Sequence, residues 1–380
     1  MKTAAEVWFA PGRANLMGEH TDYNEGLVLP FALGRGVTAT AAARDDGLLV
    51  LRSKQVPDEP VTVSLDSLVP GSVRGWAAYP AGVAWSLRAA GYPLVGASVD
   101  IDSDLPVGAG VSSSAALECS VALALCSLSG LAVPRPELAG IAKRAENEFV
   151  GAPTGIIDQS AALLCEPGHA MLLDCGTLVA TQVPFLPTVA GTVAGGTSAG
   201  GTVALIIDTR VTHALVSGEY AARRAECEEA ALLLRVRALG SVTDLDRLRE
   251  IGDPVLRRRA RHVITDCARA RAMAAALLAG DDAGSYRYLG RLLVEGHASL
   301  RDDFEVSWQE ADVAVEVAMA AGAYGAKMIG GGFGGSVLAL LPRDRAREVR
   351  DALTDVYAGR GWIPPDFIDA VPSPAARRLR

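Results

Sequence analysis

Several large protein classes are excluded by what this sequence lacks. Its six cysteines (Cys119, Cys126, Cys165, Cys175, Cys227, Cys267) are scattered, none forms a C-x-x-C pair, and the five histidines do not cluster with them. That spacing argues against a structural zinc site and reads as free thiols in a reducing cytoplasm. Basic residues number 36 against 44 acidic ones, a formal net charge of −8, so neither nucleic acid nor an acidic membrane surface is expected as a partner. Long apolar runs are missing: Ala115–Leu128 and Val203–Ile207 are too short or too interrupted to span a bilayer. The first ten residues carry Lys2 and Glu6 without a sustained apolar stretch, so no secretory leader is expected. No internal repeat recurs at a fixed period.

What is present is a soluble-type composition, 50% hydrophobic and 21% charged over 380 residues, enough for two domains with sizeable cores. Val37–Ala43 and Leu48–Leu51 read as strands separated by the turn Asp45-Asp46-Gly47. Trp76–Ala90 is apolar at helical spacing, and a helix is expected from Pro136 to about Val150, stopped by Gly151. Leu138, Ala142, Ala145 and Phe149 form its apolar face, bordered by Glu146. Ala190–Gly201 reads as a glycine-rich surface loop without chemistry. A strand over Val203–Asp208 precedes long helices near Tyr220–Leu239, Asp253–Ala279 and Glu310–Ala321. The Arg257-Arg258-Arg259 cluster with Arg261 reads as a solvated helix face. A strand–turn–strand signal around Lys327–Leu341 and a helix near Arg343–Tyr357 complete an α+β pattern without regular βαβ spacing.

Four segments could carry chemistry. The run Pro106-Val107-Gly108-Ala109-Gly110-Val111-Ser112-Ser113-Ser114-Ala115-Ala116 joins a strand over Ala97–Asp102 to a helix reaching Leu128. Glycines permit tight turns and close backbone approach, and a helix start offers unpaired N–H groups and a positive dipole end. The run therefore suits an anion such as phosphate, or is an ordinary serine-capped helix start. It lacks the Gly-Lys-Ser/Thr ending of a P-loop and the third glycine of a dinucleotide fingerprint. A second cluster, Gly330-Gly331-Gly332-Phe333-Gly334-Gly335, is explained equally by a hairpin turn or by a second loop converging on the same phosphates.

Pro11–Tyr23 packs Arg13, Glu19, His20, Asp22 and Tyr23 into a turn-rich stretch. Carboxylates and imidazole grip vicinal hydroxyls directionally, and a guanidinium stabilises developing phosphate charge, unless the stretch is simply a polar surface loop. Asp158, between isoleucines and the run Ala161–Leu164, either stabilises a helix start or works in a pocket, the residues alone favouring the first.

Taken together, these segments resemble the galactokinases of the GHMP kinase superfamily. Gly12–Tyr23 resembles their signature, Pro106–Ala116 the superfamily's phosphate-binding motif, and Lys327–Gly335 its third motif. Thr154–Gln159 and Asp208–Tyr220 are similar to further stretches, and the likeness runs from Ala10 to about Leu341. The resemblance implies a two-domain fold: an N-terminal ribosomal-protein-S5-like domain over residues 1–178 and a C-terminal ferredoxin-like domain over 179–380, with the active site in the cleft between them. It implies phosphorylation of α-D-galactose at C1 by ATP with Mg²⁺, in a cytoplasmic monomer whose partners are small molecules. The alternatives it leaves are a related sugar 1-kinase, such as one for N-acetylgalactosamine, and a non-catalytic sensor.

Residue roles follow from the same resemblance. Asp158 matches the catalytic base, and Arg13 the arginine that keeps it ionised and stabilises the transferring phosphoryl group. Glu19, His20, Thr21, Asp22, Gly155 and Tyr220 match sugar contacts. Gly108, Ala109, Gly110, Val111, Ser112, Ser113 and Ser114 match the nucleotide phosphate loop, Trp76 the tryptophan beside adenine, and Ser114 and Glu146 the magnesium ligands. The sequence departs from the family pattern at Ala14, Met17, Glu25, Ala78, Ile329 and Ser336. Ile329 in place of threonine is expected to remove a hydroxyl near the site, and Glu25 to alter the turn after Tyr23.

Overall fold

The computed structural model describes residues 5–106, 108–186, 201–212, 217–280 and 283–380. Val107, the glycine-rich loop up to residue 200 and residues 213–216 of the Asp208–Tyr220 stretch lie outside the described residues. In chain order the elements are β1 (Glu6–Asn15), β2 (Leu27–Val28), β3 (Pro30–Arg44), β4 (Leu48–Ser53), β5 (Val61–Ser64), α1 (Ala78–Ala89), β6 (Gly96–Ser103), α2 (Ser113–Leu128), α3 (Arg135–Arg144), α4 (Ile157–Leu164), β7 (His169–Asp174), β8 (Val179–Pro184) and β9 (Thr202–Asp208). They continue with α5 (Ser217–Leu233), α6 (Pro254–Ala279), α7 (Ala283–Asp302), α8 (Gln309–Ala320), β10 (Gly325–Ile329), β11 (Ser336–Pro342), α9 (Ala346–Gly359), β12 (Asp366–Ala370) and β13 (Arg377–Arg378). No described helix is long and apolar enough to cross a membrane.

Among the described residues, strands assemble into sheets ordered β13-β1-β3-β6-β4-β5, β10-β11-β9-β12 and β2-β7-β8. β3 and β4 do not form a hairpin, although they flank a short turn. β6 lies between them, antiparallel to β3 and parallel to β4, because the chain passes through β5 and α1 before returning. The expected boundary at 178/179 falls in the turn joining the paired strands β7 and β8. The last strand, β13, also returns to pair with β1.

In the sheet β10-β11-β9-β12 the strands β10, β11 and β9 are buried on both faces, and side-chain alternation sends the two faces into different cores. Leu205, Ile207, Val337 and Ala339 pack into a C-terminal cluster with α5, α8 and α9. Ala204, Ile206, Leu338 and Leu340 pack into the larger cluster shared with β1, β3, β6, α1 and α2. Helix α6 joins these cores, with Leu256, Ala260 and Val263 in one and Ala270, Met273 and Leu277 in the other.

The arginine cluster on α6 is only partly a solvated face: Arg261 is exposed, but Arg259 is not. Arg259 is 2% exposed and donates to Glu226 at 2.7 Å and Glu305 at 2.6 Å. Helix α5 ends at Leu233 rather than near Leu239, with Arg235 in the left-handed region at φ 54°. The described cysteines are free, and burial pushes Cys165, Cys227 and Cys267 up to about 12, so these stay thiols.

Candidate active site

A cleft of about 500 Å³ opens where the signature segment, the serine loop, residues 152–158, Tyr220 and the loop Gly330–Gly332 converge. The structure brings together Arg13, Glu19, His20, Asp22, Gly108, Gly110, Val111, Ser112, Ser113, Ser114, Gly155, Asp158 and Tyr220 on its walls.

Arg13 lies on β1, not in a loop. A register shift against β3 between Pro11 and Arg13 bends the strand there. Gly12 lets it pass: a Cβ at this position would sit 2.6 Å from the Val111 carbonyl. The Arg13 amide then donates to that carbonyl at 3.1 Å, so β1 docks onto the serine loop. The buried Arg13 guanidinium donates from Nε to Asp158 Oδ1 at 2.7 Å and from Nη1 to the Gly110 carbonyl at 2.6 Å. Burial lowers its pKa, but the carboxylates of Asp158, Glu19 and Asp22 together raise it further, so the site always holds this cation.

The serine loop is not a side-chain-capped helix start. Ser112 sits in the left-handed region at φ 61°, ψ 51°, and makes no capping bond to α2. Its buried Oγ has no hydrogen-bond partner. The first amides of α2 therefore face the cleft without a serine cap, the arrangement an anion requires. The second glycine cluster packs against this loop, and a Cβ on Gly330 would meet the Gly110 carbonyl at 3.3 Å. Both glycine-rich segments thus build one wall. Ile329 is fully buried in the larger core, so the hydroxyl lost there bears on packing.

Asp158 is in the first turn of α4, but its side chain is spent on Arg13 and the cleft rather than on a cap. Opposite it, Asp22 accepts from the amides of Tyr23 at 3.0 Å and Ile157 at 3.4 Å. Burial, then the nearby Asp158 charge, raises its pKa to about 6. Gly155 makes room for it: a Cβ there would lie 1.7 Å from Asp22 Oδ2.

His20 has both ring nitrogens engaged, Nδ1 with the Tyr23 hydroxyl at 2.9 Å and Nε2 with the Gly331 carbonyl at 3.1 Å. Burial, reinforced by His262, lowers its pKa to about 3, so it is neutral. A neutral ring meeting a carbonyl at Nε2 carries its hydrogen there and accepts the phenol proton at Nδ1. It presents a ring packed at a tilt of 37° against Tyr220, with centroids 5.1 Å apart, more than a free polar group.

Other expected residues do not reach the cleft wall. Thr21 is fully buried, and its hydroxyl donates to the carbonyls of Gly18 at 2.9 Å and Leu27 at 2.8 Å, closing the signature turn. Ala109 faces away, its carbonyl accepting from Ser336 Oγ at 2.7 Å. Trp76 packs on the larger core in the turn before α1, and Tyr79 lines the cleft in its stead. Glu146 lies in a π-helical turn, Ala145–Val150, that carries it inward. It accepts from Thr154 Oγ1 and from Gln159 Nε2, each at 2.8 Å. Burial and Asp158 raise its pKa, and hydrogen bonds from Thr154, Gln159 and Ser114 moderate the rise. Glu25 adopts φ 55°, a strained conformation for a side-chain-bearing residue, and pairs with Arg237 at 2.7 Å.

Sequence reasoning missed the residues that hold this wall. Lys327 is fully buried and binds Glu19 Oε1 at 3.0 Å. Asp266 accepts the amides of Gly18 and Glu19. A lone lysine in the apolar strand Gly325–Ile329, and Asp266 one helical turn beyond His262, were the available signals.

Residues 2–43 match the galactokinase galactose-binding signature, 78–166 the GHMP kinases N terminal domain and 273–359 the GHMP kinases C terminal domain. The galactokinase of Streptomyces coelicolor is 48% identical over 98% of this chain and 94% of its own. The crystal structure of Lactococcus lactis galactokinase complexed with galactose has a TM-score of 0.91 at 34% identity, covering 99% of this chain and 95% of that one. The Methanococcus jannaschii mevalonate kinase, at 15% identity and a TM-score of 0.66 over 99% of both chains, shares the two-domain fold. With its signature segment folded into the cleft wall and this likeness running the length of the chain, the protein belongs to the galactokinase family of GHMP kinases.

Proposed function

We propose that this protein transfers the γ-phosphoryl group of ATP to the C1 hydroxyl of α-D-galactose. The observation that carries the reading is the Arg13–Asp158 pair at 2.7 Å, set between the anion-binding loop on one side and Asp22 with Gly155 on the other. Arg13 holds one oxygen of Asp158 and leaves the other for the sugar. Asp158 takes the C1 hydroxyl proton as the C1 oxygen forms its bond to the γ-phosphorus and the bond from that phosphorus to the ADP oxygen breaks. Loop amides at Ser112–Ser114 orient the nucleotide phosphates, while Glu19, Asp22 and the Tyr220 ring orient the sugar, so catalysis is mainly positioning and charge neutralisation.

Ser114 Oγ and Glu146 offer hard oxygen donors, and Glu146 is a buried carboxylate that a cation would stabilise, so the pair fits Mg²⁺. Magnesium bound with the nucleotide supplies neutralisation of charge on the β- and γ-phosphates. The same reading assigns the phosphate loop and the galactose-binding signature to an N-terminal domain, with β9–β12 in a C-terminal one, and a cytoplasmic setting. The test is turnover by the purified protein with ATP and Mg²⁺ on a panel of aldoses. Galactose should be phosphorylated at C1 much faster than glucose or N-acetylgalactosamine. Galactose binding without turnover would overturn the kinase reading in favour of a sensor.

A further inference from the structure

The loop carrying Glu19 lies near the N-terminus, yet its geometry is set by residues more than two hundred positions away. Glu19 is fixed at three points. Its amide, with that of Gly18, donates to Asp266 Oδ2 at 3.2 and 2.9 Å. Its carbonyl meets His262 Nε2 at 3.0 Å. Its carboxylate Oε1 accepts from Lys327 Nζ at 3.0 Å and from the Gly330 amide at 3.2 Å.

These holders are themselves held. Asp266 is fully buried, and its other oxygen accepts from Arg269 Nε at 3.0 Å. Lys327 is fully buried too, with its ammonium shared between Glu19 and the Met328 carbonyl at 2.9 Å. A buried lysine has no water to fall back on, so the pair is locked in one arrangement. Oε1 of Glu19 is saturated by this arrangement, and Oε2 is the oxygen left for a ligand in the cleft. Gly18, at φ 95° and with no room for a Cβ against the Leu27 carbonyl, keeps the backbone in the shape these bonds require.

We propose that Lys327 and Asp266 are positioning residues that set sugar affinity by aiming the Glu19 carboxylate into the cleft. The inference rests on the galactose reading of the site. Neither residue lines the cleft, so both act through Glu19. Nucleotide affinity is set at the serine loop, to which neither residue is hydrogen-bonded.

Calorimetric dissociation constants for galactose and for a non-hydrolysable ATP analogue test this, on wild type, Lys327→Met, Glu19→Gln and the double variant. Lys327→Met should weaken galactose about tenfold, as expected for one misdirected charge-assisted bond. ATP-analogue binding should stay within about twofold of wild type, a split that loss of fold alone would not produce. Because the lysine acts through Glu19, the double variant should bind galactose no more weakly than Glu19→Gln. An unchanged galactose constant in Lys327→Met, or effects that multiply in the double variant, would overturn the positioning role. Should Lys327→Met fail to fold, the double variant, which carries neither charge, decides: equality with Glu19→Gln supports the role, and a further tenfold loss overturns it. A wild type that binds the ATP analogue but no galactose overturns the functional reading and this inference with it.

Discussion

Asp22→Asn should stabilise the fold as pH rises. The Asp22 carboxyl is raised from an ordinary 3.8 to about 6, first by burial and then by the Asp158 charge. Below 3.8 the group is protonated in both folded and unfolded chains and contributes nothing. Between 3.8 and 6 the folded protein holds the proton and the unfolded chain does not, so stability falls as pH rises through that window. Above 6 the whole penalty is present, about 3 kcal/mol at about 1.36 kcal/mol per pH unit. Roughly half has accrued by pH 5 and nearly all by pH 7.5, a further loss of about 1 kcal/mol across that interval. The asparagine variant carries no such penalty and keeps an acceptor for one of the two amides that Asp22 serves. Urea unfolding of both proteins at pH 5 and pH 7.5 should therefore show the variant's advantage widening by about 1 kcal/mol. In an Asp158→Asn background the widening should shrink, because the second cause of the raised pKa is gone. A stability difference that stays flat between the two pH values would refute the reasoning.

Three more outcomes follow from the site geometry. Gly155→Ala places a Cβ 1.7 Å from Asp22 Oδ2, so galactose affinity should fall by at least about tenfold while ATP-analogue binding persists, as parallel calorimetry would show. Asp158→Asn keeps an acceptor for Arg13 but removes the base, so kcat should drop by roughly 10²–10⁴ with galactose KM within a few fold; activity near wild type would remove Asp158 from that role. His20, lowered to about 3, should show no titration between pH 5 and 8 in ¹⁵N-histidine spectra and should carry its hydrogen on Nε2.

Much of the frame was legible because local pattern and tertiary demand coincide. The run Ser112–Leu128, the apolar strand at Val203–Asp208 and the hairpin around Gly330 were readable without partners. Helix α7 was not, since Gly290 and Gly296 look like breakers. The structure explains Gly290 differently: a Cβ there would meet the Tyr324 carbonyl at 2.1 Å, so it lets α7 lie on β10. Strand β1 was obscured by Pro11-Gly12, which mark a bulge rather than a turn. Arg259 shows the converse error, a charge run assigned to solvent when its partners are Glu226 on α5 and Glu305 in the segment between α7 and α8. The site followed the same rule. Arg13, Glu19 and Asp22 stand in one compact motif and could be named, whereas Asp158 was named only through the family resemblance. Lys327 and Asp266 gain meaning only through Glu19, which is 308 and 247 residues away from them.

Where the acids sit also explains why this cleft is costly to fold. Asp22 and Glu146 both have raised pKa values, with burial the first cause and the Asp158 charge the second. Glu118, one layer deeper and bonded to Gln159 at 3.0 Å, is raised by burial and then by Glu146. Around them Arg13 is paired with Asp158 and Lys327 with Glu19, which leaves Asp22, Glu146 and Glu118 without a cation of their own in the ion pairs of the described residues. A structure optimised for stability alone would replace such groups with amides or apolar side chains at similar volume. Their concentration around one cleft, beside helix amides with no side-chain cap, is the arrangement expected where a bound cation offsets the acids and a bound anion takes the amides. On this argument the magnesium-bound nucleotide should raise the unfolding midpoint more than the nucleotide alone, since only a cation offsets these carboxylate charges.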